Sequence, residues 1–294
     1  MKLSTVILPS MRWSTASEVW QRAERIGFHA GYTYDHLSWR SFRERPWFTM
    51  IPTLVAAASV TTSMRLGPLV TSPNFRHPLV LAKDLLALDD ISRGRLNVGI
   101  GSGGTGFDAT VFGGEPWTPR ERHARFVEFA HAIDTLLREP ATTLDGAYYP
   151  IVDSRQVPGP VQLPRPPIYL SALGPKSLAL CAEIADGWVS FAESPGATQL
   201  DAGATTAANV TRLNEQLDRR GRSASSLWRL YLHFGENRHL ESLRSFIDWS
   251  SRLHELGFDE VVIHWPVPDS IFDIDWSTFE EIATAGREVL ESWG

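Results

Sequence analysis

The strongest constraint on this chain is a repeated alternation. Short β-type runs each lead into a stretch where apolar residues recur every three or four positions. A parallel sheet covered by its own connecting helices accommodates that rhythm, because returning to a parallel strand takes a helix-length crossover. The first run, residues 3–8, precedes Thr15-Ala16-Ser17-Glu18, a capping-box pattern, and then Val19, Trp20, Ala23 and Ile26 at helical spacing. Gly27 stands where a helix end calls for a left-handed residue, and 28–34 reads as the second strand. A helix over 49–61 and a third strand over 64–71 follow. Pro78 opens a helix with Leu81, Leu85 and Leu88 on one face; Asp84 and Asp89 fall off it, so Asp89-Asp90 reads as solvated. Gly94 closes that helix, and Leu96, Val98 and Ile100 alternate as the fourth strand. Thr118-Pro119-Arg120-Glu121 joins a capping box to a proline at the first helical position.

Between Pro140 and Pro166 the rhythm breaks: 144–148 reads as a hairpin turn, and the proline-rich stretch after it as a return loop. It resumes with strands over 168–172, 188–192, 227–234 and 260–265. These alternate with helices over 175–185 and 201–220, a helical face of Leu243, Phe246, Ile247, Ser250 and Leu253, and a last helix over 277–293. Eight β-type runs each followed by a helix, with an echo of 23–28 in 253–258, predict a single α/β domain over 1–294. The expected fold is a (β/α)8 TIM barrel with an insertion at 140–166.

Composition narrows the partners. Lys and Arg total 28 against 34 Asp and Glu, a net charge of −6, which argues against nucleic acid. Cys181 is the only cysteine, so no intrachain disulfide forms. Pro9 stops the N-terminal apolar stretch early, and no window nears the ~18 apolar residues of a membrane span. A cytoplasmic protein that does not enter a membrane is the expectation.

In a barrel of this kind the chemistry gathers at the C-terminal ends of the strands. Those ends carry Tyr34-Asp35-His36, Val70-Thr71-Ser72-Pro73, the glycine run from Gly99 to Gly106, Ser171-Ala172-Leu173-Gly174-Pro175-Lys176 and His264-Trp265. The glycine run satisfies GxGxxG twice, yet 107–119 is loop-like where a dinucleotide fold needs a long helix. The glycines either let the backbone lie against a planar ligand or simply form a flexible loop. Gly174-Pro175-Lys176 at a helix start is either an anion site or ordinary helix initiation. His36 is a candidate proton donor or hydrogen-bond partner to a cofactor ring. The remaining histidines show no metal-ligand spacing, there is no GxSxG elbow, and Cys181 falls mid-helix, so neither a metal centre nor a nucleophile is expected. Trp13, Trp39, Trp47, Trp117 and Trp265 fall on loops or strand ends, which suits an apolar or extended substrate or else packing.

Together these segments resemble the luciferase-like monooxygenase family of flavin- and deazaflavin-dependent barrels. The matching stretches are 34–36, 66–78, 90–103, 167–176 and 185–188, in order along most of the chain, with the likeness weakest over a variable region at 196–240. The resemblance implies a flavin-type ring across the barrel mouth, backed at Leu69, Val70 and Thr71 by a bulge that often holds a non-proline cis peptide. It also implies that Ser102 and Gly103 approach the ring or its side chain, that Ala172, Gly174, Pro175 and Lys176 lie near its phosphate, and that Asp35 and His36 sit at the reacting edge as catalytic residues. The ending of the third strand and the Ala-Leu-Gly-Pro-Lys segment look more like the branch using coenzyme F420; FMN, supplied reduced by a separate reductase to a monooxygenase, is the alternative. A flavin-binding barrel without catalysis stays open as well. Arg40, Arg43, Arg45 and Arg76 are candidates for the coenzyme's acidic tail. Certain deazaflavin-dependent dehydrogenases of the family carry an acid just after the Ser/Thr-Gly of the fourth strand, where this chain has Gly104. The resemblance further implies a homodimer acting on a small organic substrate.

Overall fold

The computed structural model describes residues 1–191, 199–234 and 237–293. Eight parallel strands are laid side by side: β1 (Lys2–Val6), β2 (Ala30–Thr33), β3 (Arg65–Pro68), β4 (Val98–Ile100), β7 (Ile168–Ser171), β8 (Gly187–Phe191), β9 (Trp228–Leu232) and β10 (Glu260–His264). Their order is β3-β2-β1-β10-β9-β8-β7-β4. The two ends meet through parallel bridges Leu66–Leu96 and Thr71–Ile100, which closes the cylinder. The seam is tight because it lacks side chains: a Cβ on Gly67 would collide with the Asn97 carbonyl, and one on Gly99 with the Pro68 carbonyl. The expected α/β barrel is therefore the observed fold.

Helices α1 (Trp13–Ile26), α2 (Met50–Val60), α3 (Pro78–Ile91), α4 (Pro119–Arg138), α5 (Pro175–Ile184), α6 (Gln199–Asp218) and α7 (Leu243–Glu255) belong to the βα units. The last unit runs α8 (Trp276–Glu281), a π-helical turn (Ile282–Gly286) and α9 (Arg287–Glu291), rather than one uniform helix. Strand residues split by alternation. Val6, Tyr32, Tyr34, Tyr169, Leu230 and Val262 fill the barrel, while Trp20, Leu54, Leu85, Phe126, Trp188 and Phe246 pack in the layer containing the helices.

Several local expectations meet their caps. Gly27 ends α1 at φ 97°, and Thr118 accepts the Glu121 amide at 3.2 Å at the start of α4. Two do not. α1 starts at Trp13 with Arg12 as its cap, so Thr15 lies inside the first turn. Its buried face is Ala16, Trp20 and Ala23, which begins about one turn earlier than the Val19–Ile26 face suggested. Asp89 is not solvated: it is fully buried and accepts the Val161 amide at 2.7 Å, the Gln162 amide at 3.0 Å and Gln162 Nε2 at 2.8 Å.

Those bonds hold down the insertion. It consists of an antiparallel hairpin, β5 (Ala141–Leu144) and β6 (Ile151–Arg155), and a return loop. Glu128 of α4 accepts the Tyr148 and Tyr149 amides at the hairpin's turn, and Asp89 of α3 fastens the loop. Among the described residues, no helix is long and apolar enough to cross a membrane.

Candidate functional site

The C-terminal ends of the strands form a rim with three parts. On the β2–β10 side the lining is aromatic. Trp39 stacks on Trp47 and Phe272 with ring centroids 6.2 and 5.7 Å away, and Phe42 and Phe234 complete the cluster. Tyr34 projects from the end of β2 and its hydroxyl shares a hydrogen bond with Nε2 of His264 at 2.7 Å, and the His264 ring lies flat on Phe272 at 3.8 Å. Burial holds His264 well below its ordinary pKa and Tyr34 above its own, so both groups stay neutral.

The second part is the seam. Leu69–Val70 is a cis, non-proline peptide at the end of β3. Val70 fills the space over Gly101 and Gly99, and Asn74 fills the space over Gly103, whose φ is +72°. These glycines thus admit side chains of the β3 ending; within the 99–106 run, Gly104 and Gly106 face open space or a lone distant backbone atom. Ser102 is partly exposed beside them, and Thr71 is buried.

The third part is the start of α5. Gly174 is the cap, Pro175 is the first helical residue, and the first helical bond runs from the Leu178 amide to the Gly174 carbonyl. The amides of Lys176 and Ser177 precede that bond and are available to an anion. Gly174, Pro175 and Lys176 are exposed, whereas Ala172 is buried at the end of β7. His123 of α4 lies near enough that Lys176 contributes, after burial, to lowering its pKa, so the corner is electropositive.

The two residues expected at the reacting edge differ in what they can do. Asp35 is 1% exposed, accepts Thr71 Oγ1 at 2.6 Å, and is gripped by Arg76 through Nε at 3.0 Å and Nη2 at 2.7 Å. Both its oxygens are occupied, which suits holding β2 to the β3 ending. His36 is about a third exposed; its Nδ1 lies 2.5 Å from Asp108, and its Nε2 has no partner among the described residues. Asp108 sits in the one-turn helix Phe107–Ala109 after β4 and also accepts the Leu37 amide at 2.8 Å. Sequence reading missed Asp108. The position inspected for an acid was Gly104, and nothing local marks a carboxylate that meets its histidine across 72 residues.

The cation candidates also divide. Arg76 is committed to Asp35, and Arg45 donates to the carbonyls of Pro268 and Asp269. Arg40 lies over Trp39 and Phe234, and Arg43 over Phe107. Of the tryptophans, Trp39 and Trp47 line the mouth. Trp265 instead packs on Trp276 and Phe279 in the helical layer, and Trp117 lies under Arg125 near the hairpin. Among the described residues no His, Cys, Asp and Glu cluster could hold a metal ion. Part of the variable region, 196–198 and 235–236, and the expected strand residue Ala192 lie outside the described residues.

Comparison with known proteins agrees with this architecture. Residues 2–238 match the profile described as luciferase-like monooxygenase. An F420-dependent glucose-6-phosphate dehydrogenase of Beutenbergia cavernae is 35% identical over 171 residues, 57% of this chain and 49% of that protein. An F420-dependent hydroxymycolic acid dehydrogenase of Mycobacterium tuberculosis is 30% identical over 178 residues, 58% of this chain and 47% of that protein. The chain thus matches about half the length of these curated relatives. Among solved structures, an F420-dependent secondary alcohol dehydrogenase superposes with TM-score 0.80 at 18% identity, covering 97% of this chain and 99% of that one. The F420-dependent tetrahydromethanopterin reductase of Methanopyrus kandleri gives 0.76 at 19% identity, covering 96% and 97%. These two likenesses bear on the fold.

Proposed function

This chain belongs to the luciferase-like monooxygenase family, and from that premise we propose that it is a coenzyme F420-dependent oxidoreductase acting on a small organic substrate. The observation that carries the proposal is His36: a rim histidine tethered at Nδ1 and free at Nε2. The names of the curated relatives support F420 over FMN.

The rim residues fit such a coenzyme. Lys176 and the first-turn amides of α5, with Gly174 and Pro175, would hold its phosphate, since an anion there meets unpaired N–H groups and the positive end of the helix dipole, while Ala172 is buried behind them with its N–H and carbonyl bonded to Val189 and Trp188. Leu69, Val70 and Thr71 on one side, and Ser102 and Gly103 on the other, would flank the ring. When bound, a deazaflavin supplies a two-electron hydride donor or acceptor. The protein's own chemical contribution is the proton: Nε2 of His36 takes it from, or returns it to, the substrate oxygen as the C–H bond breaks or forms. Asp35, with its oxygens on Thr71 and Arg76, keeps the β2 and β3 endings in register beneath that histidine. The aromatic lining of Trp39, Phe42, Trp47, Phe234 and Phe272 favours an uncharged, apolar substrate body.

Two measurements test the proposal. Binding titrations with F420 and FMN should show the deazaflavin bound and FMN bound much more weakly; preference for reduced FMN would make the protein a monooxygenase instead. In the F420-linked reaction, His36→Ala should lower kcat by roughly 10²–10⁴-fold and leave coenzyme Kd nearly unchanged. Undiminished kcat would remove His36 from the chemistry.

A further inference from the structure

Asp108 reaches His36 from a different βα loop, and its two oxygens have different obligations. Oδ1 accepts the Leu37 backbone N–H at 2.8 Å, and Oδ2 faces His36 Nδ1 at 2.5 Å. The side chain is 5% exposed, so water does not compete freely for either bond. A carboxylate offers only acceptors, so the ring nitrogen facing it must carry a hydrogen. We propose, on the functional reading above, that Asp108 is a positioning residue that fixes His36 as the Nδ1–H tautomer, so that Nε2 meets the substrate as a proton acceptor. Gly104, having no side chain, cannot take this part, and the loop delivers its carboxylate four residues further on.

The Leu37 amide makes the proposal sharply testable. In Asp108→Asn, that N–H still demands an oxygen, so the amide oxygen turns to it and the NH₂ group faces Nδ1. Nδ1 must then accept, and the proton moves to Nε2, the wrong tautomer for taking a proton from a substrate hydroxyl. Asp108→Ala imposes no tautomer at all. If Asp108 served only to tie the loop, Asn, which keeps the volume and the Leu37 bond, would be the milder change. If it sets the tautomer, Asn is the harsher one.

The experiment compares wild type, Asp108→Asn, Asp108→Ala and His36→Ala with F420 and a substrate alcohol. It adds ¹⁵N-histidine NMR of the coenzyme-free protein at mildly alkaline pH. Wild type should show Nδ1–H at His36 and Asp108→Asn should show Nε2–H. Asp108→Asn should lose kcat by up to about 10⁴-fold, as an Asp→Asn change does in an established His–Asp pair. KM should hold, Asp108→Ala should lose less, and Asp108→Asn should add nothing in the His36→Ala background. Nε2–H in the wild type, a greater loss in Ala than in Asn, or additive losses with His36→Ala would each overturn the proposal. Should no F420-linked turnover exist, the functional reading fails, and the NMR still decides the tautomer.

Discussion

His36 and His264 end strands that flank β1, yet their surroundings give them opposite properties. His36 has a carboxylate at one nitrogen and open rim at the other, whereas His264 lies between Phe272 and the Tyr34 hydroxyl with no way to keep a charge solvated. Burial holds His264 well below its ordinary pKa, and His29 and His239 are lowered in the same sense. The linkage follows. Above pH ~6.5 both folded and unfolded chains leave these rings neutral, and stability is unaffected. Below it the unfolded chain binds protons that the folded one refuses, so stability falls as pH falls, by at most about 1.4 kcal/mol per pH unit for each such ring. Urea denaturation should therefore give a lower ΔG at pH 5 than at pH 7, and His264→Gln should shrink the difference. A mutant slope equal to that of wild type would show that His264 is not refusing the proton. The strand pattern placed both histidines at the mouth, but a histidine's character is set by partners far along the chain. Asp108 is 72 residues from His36, Arg76 is 41 from Asp35, and no local pattern encodes such pairs.

At the scale of elements, the best-read segments were those whose periodicity and punctuation agree: α3 and α4 begin at their prolines, and α1 ends at Gly27. The glycine run was harder. Gly67, Gly99 and Gly101 lack side chains because β3 and β4 approach too closely for a Cβ, and Val70 occupies the remaining space. A sequence shows a missing Cβ but not the neighbour that required it. Gly67→Ala drives a methyl into the Asn97 carbonyl, a backbone atom that cannot step aside without moving β4, and should cost about 1–3 kcal/mol or more. Gly159→Ala, in open space in the return loop, should fall between neutral and about 1 kcal/mol stabilising. Chemical denaturation of the two variants separates the readings. Equal small effects would mean the seam is loose and the glycines are there for flexibility.

Over the whole molecule, the two ends of the barrel divide the work. The floor carries a buried polar chain. Tyr32 and Trp228 donate to Glu260 at 3.1 and 2.7 Å, and Asn97 donates to Tyr32 at 3.1 Å. Arg65 then links Asn97 to Gln162 at 2.7 and 2.9 Å, and Gln162 reaches Asp89 at 2.8 Å. This chain ties β10, β2 and the seam to the return loop of the insertion, so an excursion that looked like an interruption of the barrel is built into its base. Both oxygens of Glu260 and of Asp89 are taken in it, whereas the rim leaves His36 Nε2 and the first-turn amides of α5 without partners among the described residues. The ends should then respond differently to truncation. Glu260→Ala leaves the buried Tyr32 hydroxyl without its acceptor, at a cost of about 1–3 kcal/mol, and the part-buried Trp228 indole N–H without its own. Lys176→Ala, at the exposed rim, should change stability by less than about 0.5 kcal/mol. Guanidinium midpoints at constant m-value, read beside coenzyme Kd, test the division. A Glu260→Ala protein as stable as wild type would mean that the floor network is dispensable. One that kept its stability but lost coenzyme binding would mean that the two ends are coupled.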